Sequence, residues 1–365
     1  MVTLYYLCGS ENVPYGGVRV AYRHVDILNN AGIPASVVHD IHNFRCTWFE
    51  NSTKVSWLPQ EITDCDVIVV PENWSPLLNT LAPGVPKVSF NQNAFYTFQS
   101  HFPREHPYLT ATDLMSSMTV SEANRAFLQY AFPENTFQRI HLSIDPTLFH
   151  CPDQPPGRRI AYMTRKRPAD SRMVLDILRS RGALQGWETV VIDQLSESGV
   201  ARALRSASLF LSFSWQEGWG LAPLEALASG CSVIGYSGFG GREYFETLGA
   251  IEVPDGDVLT FAQEIDNWIQ EFDADTHWRT AASRSEKALF AYSQEQETAD
   301  VISFWTNTLS QMPRPQGITH TVRRNDIAKG SLHVLFRRSV PYLQAGLQEL
   351  LTVSRTRLSR KPPLL

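Results

Sequence analysis

Two glutamates eight residues apart, Glu217 and Glu225, lie in the run Ser214-Trp215-Gln216-Glu217-Gly218-Trp219-Gly220-Leu221-Ala222-Pro223-Leu224-Glu225. Carboxylates at this spacing accept hydrogen bonds from sugar or ribose hydroxyls, or serve as the acid and nucleophile of a glycosidase. Pro223 suits the first turn of a helix. The amides of Gly220, Leu221 and Ala222 would then be the unpaired donors of a helix start, suited to phosphate or hydroxyl oxygens. The plainer reading is a helix N-terminus carrying acids that favour its positive end. A second cluster, Arg165-Lys166-Arg167, places three cations in succession. Arginine grips phosphate oxygens as a fork and lysine acts as a point charge. An isolated triplet of this kind is a solvated turn, whereas at the carboxyl end of a strand it clamps phosphate.

The elements around both clusters supply that setting. Leu209–Phe213 reads as a buried strand feeding the Glu217 loop, and Leu221–Ser229 as a helix ended by Gly230. Arg159–Met163 reads as a strand that delivers Arg165. Short apolar runs alternate with helical patterns along most of the chain, the signature of parallel sheets flanked by helices. The Pro-rich stretch Cys151–Gly157 divides this alternation in two. The expected fold class is therefore α/β, with two Rossmann-like, doubly wound domains facing across a crevice. Residues 1–150 form the first domain, 151–293 the second, 294–312 a helix packing back toward the first, and 313–365 a basic helical tail. Ligands of such sheets bind beyond the carboxyl ends of the strands.

The first domain presents its own polar groups at that edge. Val2–Leu7 leads to a loop ending in Gly16 and Gly17, whose backbone faces the crevice. Pro86–Phe90 leads to Asn91, Gln92 and Asn93, whose amides suit acceptor hydroxyls, and then to Phe95, Tyr96 and Phe98, which suit stacking. His101 and His106 follow; an unpaired loop histidine is usually incidental. Glu72, after another strand, is as readily part of a turn as of the cleft.

The frame E-G-x-G-L-x-x-x-E-A-x-A-x-G, complete here from Glu217 to Gly230, resembles the E-x7-E element of retaining glycosyltransferases with the GT-B fold, and most of all glycosyltransferase family 4. Tyr15-Gly16-Gly17, Val120-Ser121-Glu122, Ile144-Asp145-Pro146-Thr147-Leu148-Phe149 and, more loosely, Gly240-Gly241-Arg242-Glu243 agree with family elements in the same order. The resemblance spans roughly residues 2–310. It implies a retaining transfer of a hexosyl or deoxyhexosyl unit from a nucleotide diphosphate donor to a hydroxyl acceptor, glycan or lipid-linked. It implies catalytic roles for Glu217, Arg165 and Lys166, donor binding by Glu225, Gly218, Trp219, Gly220, Leu221, Gly16 and Gly17, and an acceptor side at Asn91, Gln92 and Asn93. No cofactor beyond the nucleotide sugar and no metal is expected, since no D-x-D element or histidine cluster is present. A glycosidase reading of the glutamate pair is disfavoured, because both acids come from one loop and helix rather than from opposite walls. The alternatives are a non-catalytic two-domain sugar- or nucleotide-binding protein and a GT-B-like epimerase; release of free nucleoside diphosphate separates the first from an enzyme.

Composition bounds the rest. The 365 residues are 43 % hydrophobic, which suffices for two cores, and they contain 19 Phe and 9 Trp. Five scattered cysteines without a C-x-x-C pair point to a reducing cytosol rather than a disulfide frame. Met1–Cys8 lacks a basic leader and reads as the first strand. The net charge of −5 conceals an imbalance: residues 321–365 hold nine basic side chains against Asp326 and Glu349. Leucines from Leu332 to Leu358 recur at helical spacing among those arginines. Residues 321–361 therefore either lie on an anionic membrane surface, giving a cytoplasmic protein peripheral to the inner face, or pack on the acidic body, or lack fixed structure. Nucleic acid is not an expected partner.

Overall fold

The computed structural model describes residues 2–98 and 105–328. Its first lobe is built on a parallel sheet of strands β1 (Leu4–Cys8), β2 (Ala35–His39), β3 (Val55–Trp57), β5 (Val67–Pro71), β6 (Lys87–Asn91), β7 (Leu114–Thr119) and β8 (Phe137–Arg139). Their spatial order is β3-β2-β1-β5-β6-β7-β8. The second lobe carries β9 (Gly157–Tyr162), β10 (Glu188–Val191), β11 (Ala207–Phe213), β12 (Ser232–Tyr236) and β13 (Ile251–Glu252), in the order β10-β9-β11-β12-β13 and again all parallel. Crossover helices cover the faces of both sheets, so the central strands are apolar on both sides: β2 and β12 are buried throughout, and so is β11. This architecture gathers the loops that leave the strands at the carboxyl edge of each sheet, where a ligand can meet several strand ends at once.

The helices begin where side chains can satisfy their first amides. In the first lobe, α1 (Gly16–Asn30), α2 (Leu77–Thr80), α3 (Ala94–Thr97), α4 (Pro107–Thr110) and α5 (Glu122–Ala131) follow the strands, and a short 3-10 turn spans Glu72–Trp74. Asn93 caps α3 and Ser121 caps α5. In the second lobe come α6 (Pro168–Ser180), α7 (Glu197–Arg205), α8 (Leu221–Ala228), α9 (Arg242–Leu248), α10 (Val258–Gln270) and α11 (Ala274–Ala291). The last, α12 (Gln294–Ser310), returns to the first lobe and lies on α1. Trp305, fully buried, donates from Nε1 to the Tyr6 hydroxyl at 2.8 Å. Glu297, also buried, accepts from Arg23 at 3.0 Å and from the Ser143 hydroxyl. No described helix is long and apolar enough to cross a membrane.

Two features depart from the sequence-based expectation. The α1 helix already starts at Gly16, so the glycine pair forms its first turn rather than the end of a loop. Residues 313–328, expected as the start of a tail, contain strand β14 (Thr319–Val322), which pairs antiparallel with β4 (Gln60–Thr63) on the first lobe. Val322 and Ile327 are buried there, which explains why this piece of chain docks. The rest of the basic segment, residues 329–365, lies outside the described residues, as does His101.

Candidate functional site

The two sheets meet through the carboxyl ends of their strands, and the lobes touch. On the second lobe, β11 runs into the loop 214–220, which the turn after β12 holds in place. The Glu217 amide donates to the Gly238 carbonyl at 2.8 Å, and the Gly240 amide to the Glu217 carbonyl at 3.1 Å. Gly240 has to be glycine: a Cβ there would stand 2.0 Å from the Gly218 carbonyl oxygen. Gln216 adopts a left-handed φ of 47°, an uncommon state for a side-chain-bearing residue that recurs at functional loops. Gly220, at φ 85°, is the N-cap of α8 and offers no side chain to its first amides.

This loop brings Glu217 beside the end of β9. Lys166 Nζ lies 3.2 Å from Glu217 Oε1 and donates to the Tyr96 hydroxyl of the first lobe at 3.3 Å. Burial pulls the Lys166 pKa down, but Glu217 and Tyr96 more than offset this, so its pKa is raised and the ammonium persists. Arg165 is exposed, lies over the Tyr15 ring at 5.5 Å and has no carboxylate partner among the described residues. Arg167 turns away: it stacks on Trp215 at 3.9 Å and pairs with Asp255 at 2.7 Å and Asp170 at 3.4 Å. Of the three cations, Arg165 is open to an anion, Lys166 is held by Glu217, and Arg167 fixes the β9–α6 turn.

Glu225 is placed differently from its expected role on an open groove. Its side chain is 7 % exposed and its Oε1 is 2.6 Å from Nη2 of Arg19, on α1 of the opposite lobe. Arg19 also pairs with Glu197 at the start of α7. Gly16 and Gly17 do lie at this junction. A Cβ on Gly16 would come within 2.8 Å of Leu221, and one on Gly17 within 3.1 Å of Gln92. Gly218 packs still closer, since its Cβ would stand 1.9 Å from the Gln92 carbonyl oxygen. Ser121 donates to the Gly218 carbonyl at 2.7 Å.

Three expected contributors are corrected in placement. Trp219 is 3 % exposed and packs edge-on against Tyr244 and Tyr292 with Arg139 over its ring, so only its backbone is near the cleft. The Asn91 side chain is buried inside the first lobe, donating to Thr97 at 2.6 Å and Tyr108 at 3.2 Å. Asn93 caps α3 and donates to the Gln216 carbonyl at 2.6 Å, tying the lobes together instead of facing an acceptor. Gln92 is half-buried and donates to the Gly17 carbonyl at 2.9 Å. His106 is stacked on Tyr108 and tilted against Phe132, and burial lowers its pKa to about 4. Sequence reasoning passed over Arg19 and Glu197 and noted Tyr15 only as the residue before the glycine pair; their partners across the cleft are revealed by no local pattern. It weighed Glu72 without settling it. This carboxyl accepts from the Gln92 amide at 3.2 Å, and burial raises its pKa to about 7.

The family model described as "Glycosyl transferases group 1" matches residues 182–285, the stretch that holds Glu217, Gly218, Gly220 and Glu225. An alpha-1,6-glucosyltransferase of Actinobacillus pleuropneumoniae serotype 7 (strain AP76) is 27 % identical over 285 residues, covering 73 % of this chain and 83 % of the relative. The fold resembles that of Anabaena HepE solved with UDP-glucose, at TM-score 0.61 and 12 % identity over 84 % of this chain and 99 % of that one. It also resembles sucrose-phosphate synthase of Thermosynechococcus elongatus, at TM-score 0.59 and 11 % identity over 85 % and 100 %. The architecture is GT-B, and the chain is a glycosyltransferase.

Proposed function

We propose that this enzyme transfers a hexosyl or deoxyhexosyl unit from a nucleoside diphosphate sugar to a hydroxyl of a glycan or lipid-linked acceptor, with retention at the anomeric carbon, in the manner of glycosyltransferase family 4. The observation that carries the reading is the Lys166–Glu217 pair, beside the start of α8 and an Arg165 that has no carboxylate partner among the described residues. The likeness to a curated glucosyltransferase makes a glucosyl donor the first to test.

In this reading a diphosphate takes Lys166 from Glu217 and engages Arg165. Glu217 is thereby freed for sugar hydroxyls, and Glu225 serves the ribose. The bond between the anomeric carbon and the phosphate oxygen breaks, with its electron pair passing to that oxygen. The acceptor oxygen bonds to the same face of the sugar and its proton passes to the departing phosphate. Arg165, Lys166 and the amides opening α8 offset the charge that grows on the diphosphate. The contacts of Asn93 with Gln216 and of Ser121 with Gly218 draw the lobes together and exclude water from the activated sugar. The basic segment 321–361 is the part proposed to meet an anionic membrane surface.

Titration of nucleotide binding and turnover in two variants tests the assignment. Arg165→Ala lowers turnover more than affinity, because its charge acts most on the leaving group. Glu225→Ala weakens nucleotide binding. Unchanged affinity and rate in both variants would refute the assignment, and an inverted product anomer in the proton spectrum would refute retention.

A further inference from the structure

The guanidinium of Arg19 belongs to the first lobe but finds both its charged partners on the second, Glu225 on α8 and Glu197 on α7. All three side chains are nearly buried, at 10 % exposure for Arg19, 12 % for Glu197 and 7 % for Glu225. Burial opposes the charge on Arg19, while Glu225 and then Glu197 hold it, so its pKa is raised and it stays a cation. A ribose cannot reach a carboxylate covered to this extent by an arginine. Gly16 against Leu221 and Gly218 against Gln92 also bring the two lobes into close contact.

We propose that Arg19 sets donor affinity as an exchangeable latch: it occupies Glu225 in the empty enzyme and gives that carboxylate up to the ribose, while Glu197 keeps the lobes tied. The proposal rests on the reading of Glu225 as the ribose carboxylate. The presence of two acids explains how one cation serves both states. With Glu225 alone, donor binding would leave a buried guanidinium unpaired, at a high desolvation cost. With Glu197 as second partner, the exchange forfeits one charge-assisted bond and keeps the other. A ligand without ribose hydroxyls has no call on Glu225 and leaves the latch shut, so the latch acts selectively on ribonucleotides.

The test is calorimetric binding of UDP, ADP and GDP to the full chain, each against its 2′,3′-dideoxy counterpart, in wild type, Arg19→Gln, Glu197→Gln and Glu225→Gln. Arg19→Gln tightens the ribonucleotide about tenfold, the worth of one charge-assisted bond, and barely changes the dideoxy form. Glu197→Gln acts in the opposite sense: Arg19 then has only Glu225, the ribonucleotide weakens by a similar factor, and the dideoxy form again holds. Because the two variants move one ratio in opposite directions, a general loss of stability cannot imitate the pattern. If wild type prefers the ribonucleotide but Arg19→Gln shifts both ligands alike or weakens the ribonucleotide, the latch is overturned and the role of Glu225 stands. If wild type and Glu225→Gln both bind the two forms equally, or no nucleotide binds, the ribose reading falls and the latch with it.

Discussion

Replacing Gly218 with alanine asks whether lobe contact belongs to the working state. Gly218 lies outside the left-handed region, so the methyl costs space and not backbone strain. The new Cβ would meet the Gln92 oxygen at 1.9 Å, its carbon at 2.8 Å and the Asn93 Cα at 2.9 Å. All three are backbone atoms at the end of β6 and cannot rotate aside. Ordinary contact begins near 3.4 Å, so the lobes must part by about 1.5 Å at this point. That separation breaks the 2.7 Å bond from Ser121 to Gly218 and the 2.6 Å bond from Asn93 to Gln216. At about 1 kcal/mol for each neutral hydrogen bond, closure loses roughly 2 kcal/mol, while the core of each lobe is untouched. A misplacement of about 1 Å between reacting groups costs on the order of a hundredfold in rate. Gly218→Ala is therefore expected to enlarge the radius of gyration in solution scattering and to lower kcat about a hundredfold. Its thermal midpoint should stay within a few degrees of wild type, and nucleotide binding should persist. Wild-type turnover with an unchanged scattering profile would refute the role given to lobe contact.

Two further expectations concern stability. Burial raises the Glu72 pKa from the ordinary 4.5 to about 7, so the native state binds that proton more tightly than the unfolded chain. The resulting penalty is absent at low pH, grows as pH rises from the unfolded value through 7, and then levels off. Glu72→Gln should accordingly stabilise the fold above pH 7 by at most about 3 kcal/mol, with no gain near pH 4, in urea titrations; a gain independent of pH would contradict this. Trp305→Ala removes a buried indole and its bond to Tyr6, and should cost about 3–5 kcal/mol in the same titrations. A loss below about 1 kcal/mol would show that α12 does not anchor the first lobe.

Much of the fold was legible because buried parallel strands write themselves as continuous apolar runs. Leu4–Cys8, Lys87–Asn91 and Ala207–Phe213 are bounded within a residue or two of where their sequence places them. The α8 helix follows from Pro223 and Gly230. Short strands were not legible: β14 acquires its partner, β4, only through a contact about 260 residues back along the chain, and its four residues, of which only Val322 is buried, carry no helical or buried signature. In the site, Gly218 and Gly220 were legible as parts of the donor loop, but that Gly218 and Gly240 allow two backbones to approach closely was not. Nor was side-chain direction. Trp219 lies between two glycines yet points into the core, and Asn91 points inward where its neighbour Gln92 points toward Gly17. Arg19 reads in sequence as one polar position on a helix, and only the closed cleft pairs it with a carboxylate 206 positions away.

The most direct measurement is the crystal structure of the enzyme soaked with UDP-glucose. Donor binding as described requires the diphosphate within hydrogen-bond distance of Arg165 and Lys166, the ribose hydroxyls on Glu225, and Arg19 retained by Glu197. A nucleotide bound elsewhere, with the Lys166–Glu217 and Arg19–Glu225 pairs intact, would contradict it.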